Sequence, residues 1–71
     1  MDITLYTIGC PQCLVLEAKL NAAKIKYTIV DDEDIIDQKG YIYLPVLEIN
    51  GQPHNFQESL QWLKKENFNG N

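Results

Sequence analysis

The sequence is short of cysteine, of basic charge and of long apolar runs, and each shortage removes a class of protein. Only Cys10 and Cys13 are present, so there is no second pair with which to staple a disulfide-rich secreted scaffold. No apolar stretch approaches the roughly 20 residues that span a bilayer. The opening segment Met1-Asp2-Ile3-Thr4-Leu5-Tyr6 lacks the basic and then apolar pattern of an export signal. Six basic residues against ten acidic ones leave a net charge of -4, the wrong sign for neutralising nucleic-acid phosphates or anionic lipids. No repeat, low-complexity tract or linker interrupts the chain. The expectation is a single cytoplasmic domain over residues 1–71, monomeric, with neither nucleic acid nor membrane as partner.

What is present is the ordinary balance of a folded protein, 45% hydrophobic and 23% charged. A domain this small buries only about 60% of its unfolded surface, so its core has to be used economically. Residues Asp2–Thr7 place Ile3 and Leu5 on one face and Thr4 and Tyr6 on the other, as a strand does. Pro11, pre-set to helical φ and needing no N–H in a first turn, predicts that a helix begins at the cysteine motif. Through Gln12–Lys24, Leu14, Val15, Ala18, Ala22 and Ile25 form one apolar stripe and Leu16, Leu20 and Ala23 a second. That pattern predicts a helix buried along most of its girth. Tyr27–Val30 is β-branched and aromatic, which completes a βαβ unit with parallel strands.

Residues Asp32–Gly40 are acidic and polar around Ile35 and Ile36, and read as a loop with a helical turn or two. Val46–Ile49, Asn50-Gly51 and Gln52–His54 predict a hairpin on a two-residue turn, with Pro53 restricting its second strand to a sheet edge. Asn55 is a helix cap with Glu58 three residues on; Phe56, Leu60 and Leu63 follow at helical spacing, and Lys64 and Lys65 suit the far end. The sum is an α/β fold, βαβ then hairpin then helix, with a four-stranded mixed sheet and flanking helices. That is the minimal thioredoxin-like architecture.

The chemistry concentrates in Cys10-Pro11-Gln12-Cys13. At a helix start, unpaired N–H groups and the helix dipole favour a thiolate over a thiol. Cys10 is the expected nucleophile toward a target disulfide, and Cys13, one turn on, the expected resolving thiol. No Lys or Arg precedes Lys19, so the helix end has to do most of the tuning. Two other readings stay open, a non-enzymatic binding module and a metal-binding protein of the same fold. Zinc takes four ligands, and Cys10, Cys13 and His54 leave the set incomplete unless two chains share it.

Tyr6-Thr7-Ile8-Gly9-Cys10-Pro11-Gln12-Cys13 followed by Leu44-Pro45-Val46 resembles glutaredoxin and the glutaredoxin-like redoxins that serve ribonucleotide reductase. The resemblance covers nearly the whole chain. It implies a redox-active Cys10–Cys13 disulfide without a tightly bound cofactor, and protein or glutathione mixed disulfides as substrates. It also implies a cis Pro45 facing the cysteines, which exposes the backbone of Leu44 to pair with substrate. Pro11, Gln12, Leu44 and Pro45 are thereby the substrate-binding candidates, and no metal-ligating residue is assigned.

Three departures bear on the reductant. No basic residue stands shortly before Cys10, His54-Asn55-Phe56-Gln57 replaces the family's paired glycines, and Gln12 replaces the usual central tyrosine. Each weakens a seat for glutathione and leaves dithiol exchange intact, so a thioredoxin reductase-like dithiol donor stands beside glutathione as reductant. The segment before Pro45 is short for the family, which implies a reduced second helix, and Lys39 is a candidate for the missing positive charge. Tyr41 and Tyr43 either line a groove or cover the core. Trp62 reads as half-buried packing rather than a partner surface, His54 as an edge-strand surface residue rather than an aid to proton transfer, and Asp31–Asp34 as a solvated acidic run rather than one that attracts basic or repels acidic proteins.

Overall fold

The structure, a computed structural model, describes residues 1–66. Its elements are β1 (Ile3–Tyr6), α1 (Pro11–Ala22), β2 (Thr28–Val30), α2 (Glu33–Lys39), β3 (Val46–Ile49), β4 (Gln52–His54) and α3 (Phe56–Glu66). The sheet order is β2-β1-β3-β4, with β1 parallel to β2 and antiparallel to β3. β4 closes one edge, antiparallel to β3 with Pro53 opposite Glu48, so the proline occupies the edge its missing N–H requires.

Strand alternation divides the interior in two. Ile3, Leu5, Leu47 and Ile49 point to the face covered by α1 and α3, where Leu16, Leu20 and Leu63 meet them. Tyr6 and Val46 point to the other face and pack with Ile36 of α2. Phe56, Leu60 and Trp62 are partly buried against the larger cluster, which gives Trp62 the packing role expected of it.

Helix α1 corrects one expectation. Only the stripe of Cys13, Leu16 and Leu20 is buried, while Leu14 and Val15 are 56% and 43% exposed. A helix lying on one sheet face has one contact line, here that of Leu16 and Leu20, and the stripe of Leu14, Val15, Ala18 and Ala22 is turned to solvent. The helix ends two residues before Lys24. The Lys24 N–H donates to the Asn21 carbonyl and the Ile25 N–H to the Leu20 carbonyl, with Lys24 at φ 58°, a Schellman stop built without glycine.

The acidic segment forms two helical turns because both of its ends are satisfied. The Asp32 carboxylate accepts the Asp34 N–H at 2.9 Å, and Gly40 closes the far end in the left-handed conformation. Ile36 then anchors the helix at 4% exposure, so this segment is packed more firmly than its polar composition predicts. The hairpin turn carries Asn50 at φ 52° and Gly51 at φ 83°, the paired positive angles of a type I′ turn. At α3, Asn55 Oδ1 accepts the Glu58 N–H while Glu58 Oε1 accepts the Asn55 N–H, a reciprocal capping box.

Candidate active site

The turn after β1 delivers Cys10 to the start of α1. The Thr7 N–H donates to the Val30 carbonyl at 3.1 Å, and Thr7 Oγ1 accepts the Gly9 N–H at 3.1 Å. Gly9 sits at φ 78°, and a Cβ added there would meet nothing within 4 Å, so glycine is required by backbone angle and not by space. Cys10 is then extended (φ -68°, ψ 164°) as the N-cap, with Pro11 at the first helical position.

Cys10 Sγ accepts the Cys13 N–H at 3.1 Å. A helix cap is normally an oxygen; here the sulfur takes that place, and an anionic sulfur would gain from the same N–H and from the helix dipole. Cys13 is fully buried and Cys10 partly exposed, so one sulfur is reachable from solvent and its partner lies beneath it. The two form a disulfide with their Cα atoms 4.9 Å apart.

Across from the pair, the Leu44–Pro45 peptide bond is cis. The Leu44 carbonyl oxygen lies 4.0 Å from Cys10 Sγ, and Pro45 is fully buried beneath it. Gln12, Leu44 and Pro45 line one cleft of about 260 Å³, whose opposite side is Asn55, Phe56 and Gln57. Tertiary structure thus brings together the sequence-predicted residues from both halves of the chain. Pro11 is exposed and does not line the cleft, whereas Tyr43, 61% exposed, does.

His54 lies on β4 with Nδ1 3.3 Å from the Leu47 carbonyl oxygen. Among the described residues, no group of three or more His, Cys, Asp or Glu side chains is placed to hold a metal ion. No described helix is long and apolar enough to cross a membrane.

Sequence reasoning missed Glu48. It is 8% exposed on β3, accepts a hydrogen bond from the Tyr41 hydroxyl, and pairs with Lys39 Nζ at 2.9 Å. Lys39 also stands 5.8 Å above the Tyr6 ring, which meets Tyr41 edge to face at 5.1 Å. Lys39 is therefore committed to the sheet face and does not supply the cation expected of it near Cys10. The alternation Val46-Leu47-Glu48-Ile49 puts a carboxylate on a buried face, which is the available signal.

Burial acts to raise the Glu48 pKa, but hydrogen bonds from Tyr41 and Lys39 outweigh it and hold the carboxyl below its ordinary 4.5. The hydrogen bond to Glu48 raises Lys39 above 10.5, and burial with the same carboxylate raises Tyr41. A carboxyl with a depressed folded pKa stabilises above its unfolded value and loses that contribution as pH falls through the folded one. Glu48→Gln is therefore expected to lower stability by about 2 kcal/mol at neutral pH. In urea titrations across pH, the deficit should shrink below pH 4.5; a deficit that grows on acidification would contradict this sign.

No known protein family's profile matches the sequence, and no curated protein matches it. Among solved structures, a glutathione transferase from Methylococcus capsulatus strain Bath is similar, with a TM-score of 0.73 and 23% identity over 96% of this chain. The chain has the thioredoxin fold. It spans 39% of the length of that transferase, so the likeness concerns one part of the larger protein. Within this thioredoxin fold, the close Cys10–Cys13 pair at the start of α1 supports a redox role.

Proposed function

We propose that the chain is a small dithiol thiol–disulfide oxidoreductase of glutaredoxin-like type that reduces protein disulfides. The supporting observation is the accessible Cys10 sulfur at the N-cap of α1, hydrogen-bonded to the Cys13 N–H, with the Cys13 sulfur buried beneath it. In the reduced protein, the Cys10 thiolate attacks one sulfur of a substrate disulfide and expels the other as a thiolate. Cys13 gives up its proton, attacks Cys10 Sγ and releases the second substrate thiolate. The substrate gains two electrons and the Cys10–Cys13 disulfide forms. A thioredoxin reductase-like dithiol donor then returns two electrons to the pair.

The commitment of Lys39 to Glu48 favours that donor over glutathione, whose carboxylates need cationic partners. A target of suitable class is a reductase that must regain its own dithiol after each turnover, as ribonucleotide reductase does. A reducing, cytoplasmic compartment suits this direction of transfer.

Insulin reduction with dithiothreitol as terminal reductant tests the reading. Wild type is expected to accelerate precipitation of the insulin chains, and Cys10→Ser to match the protein-free rate. Equal rates for the two proteins remove the catalytic reading and leave a binding module.

A further inference from the structure

A second cleft of about 280 Å³ opens on the other side of Leu44, between α2 and the segment that leads to Pro45. Ile36 and Tyr41 form its inner part, and Leu44, whose carbonyl lies 4.0 Å from Cys10 Sγ, forms part of its wall. Ile42, Tyr43 and Ile8 line its mouth, at 91%, 61% and 58% exposure. Single exposed apolar side chains are ordinary on any surface. Three gathered at the mouth of one cleft, which shares Leu44 with the cysteine site, make an exposed apolar patch.

The same cleft carries charge of one sign. Glu33 and Asp37 of α2 line it, and the ion pair found among the described residues is Lys39–Glu48, which leaves Lys39 no part in offsetting them. The helix explains only the first of these carboxylates. Glu33 lies in the first turn, where the dipole favours an anion. Asp37 lies in the last turn, where the dipole opposes one, so its presence in the cleft wall is not a device for helix stability.

We infer that this cleft docks an extended segment of the substrate protein that presents an apolar side chain and a Lys or Arg next to its disulfide cysteine. The inference rests on the reading of Cys10 as nucleophile and names the substrate class for that site. The apolar side chain enters between Ile42 and Leu44, and the neighbouring cation meets Glu33 and Asp37. Anionic disulfides, glutathione disulfide included, are repelled at the same rim.

The test uses reduced protein in single turnover with three peptides, each joined through one cysteine to a chromogenic thiol. They share one apolar residue and differ only in flanking Lys, Gln or Glu. Attack by Cys10 expels the chromogenic thiolate, and Cys13 then displaces the peptide thiolate and closes the disulfide. At low ionic strength the Lys peptide is expected to react about tenfold faster than the Glu peptide, with a ratio that contracts in ~1 M salt.

The double variant Glu33→Gln with Asp37→Asn should bring that ratio close to one, with the Gln peptide as reference for each protein. Ile42→Ser, at a side chain that contributes little to folding, should slow all three peptides about fivefold. Equal rates for the three peptides, or a ratio unchanged in the double variant, overturn the docking proposal while leaving the oxidoreductase reading intact. Rates unchanged by Ile42→Ser overturn its apolar half. Release from none of the peptides overturns the oxidoreductase reading and the docking proposal with it.

Discussion

Cys13→Ser is expected to convert turnover into a stoichiometric trap, with one equivalent of substrate held on Cys10. The first step needs only the accessible sulfur at the N-cap, which the variant retains, along with the backbone N–H of residue 13 that bonds to it. The second step needs a thiol already in place. An oriented neighbour reacts as though present at an effective concentration far above that of a millimolar bulk thiol, so turnover should fall about 100-fold or more. Non-reducing electrophoresis after exposure to an insulin or peptide disulfide should reveal the mixed disulfide, and dithiothreitol should release it. Undiminished turnover in Cys13→Ser, with no adduct, would sink the two-thiol mechanism while leaving a single-thiol one to be tested.

Leu16→Ala should be among the most destabilising substitutions in the chain, and Leu14→Ala nearly silent. Leu16 has no exposed surface and sits in the larger core with Leu5, Leu20 and Leu47, so truncation removes buried methyl groups and leaves a cavity. Such changes cost about 2–5 kcal/mol. A domain of this length has a total stability of roughly 4–10 kcal/mol, so the variant sits near the edge of folding. Leu14, two residues earlier and 56% exposed, should stay within about 0.5 kcal/mol of wild type. Urea denaturation of the oxidised proteins measures both. Equal losses at the two positions would mean that α1 is not seated on the sheet as described.

That pair of leucines marks where sequence reading stops. Helix α1 is legible from Pro11 and the apolar repeat, but two apolar stripes are present and hydropathy does not say which one faces a sheet. Its end at Ala22 is equally hidden, because the Schellman stop falls on Lys24, a residue that carries no glycine signal. At α2 a polar composition conceals a packed element. Its stability comes from the Asp32 cap, the Gly40 stop and the single side chain of Ile36 inserted beside Tyr6 and Val46. Lys39, a candidate by sequence for the active-site cation, has its charge absorbed by Glu48 instead. Nothing local distinguishes those outcomes, since Lys39 and Glu48 meet only when β3 lies beside the end of α2.

Signals confined to a few neighbouring residues were decided by the sequence itself. They include the I′ turn at Asn50-Gly51, the capping box of Asn55 and Glu58, the proline at the head of α1, and the spacing that lets Cys13 follow Cys10 by one turn. Each depends on backbone angles and hydrogen bonds that close within about four residues. Only the tertiary structure decided which apolar stripe of α1 is buried, that the Leu44 carbonyl stands beside Cys10, and that Glu33 and Asp37 border a cleft that Leu44 also lines. Those facts belong to contacts between segments far apart in the chain, and such contacts are selected by how the whole sheet and its helices pack.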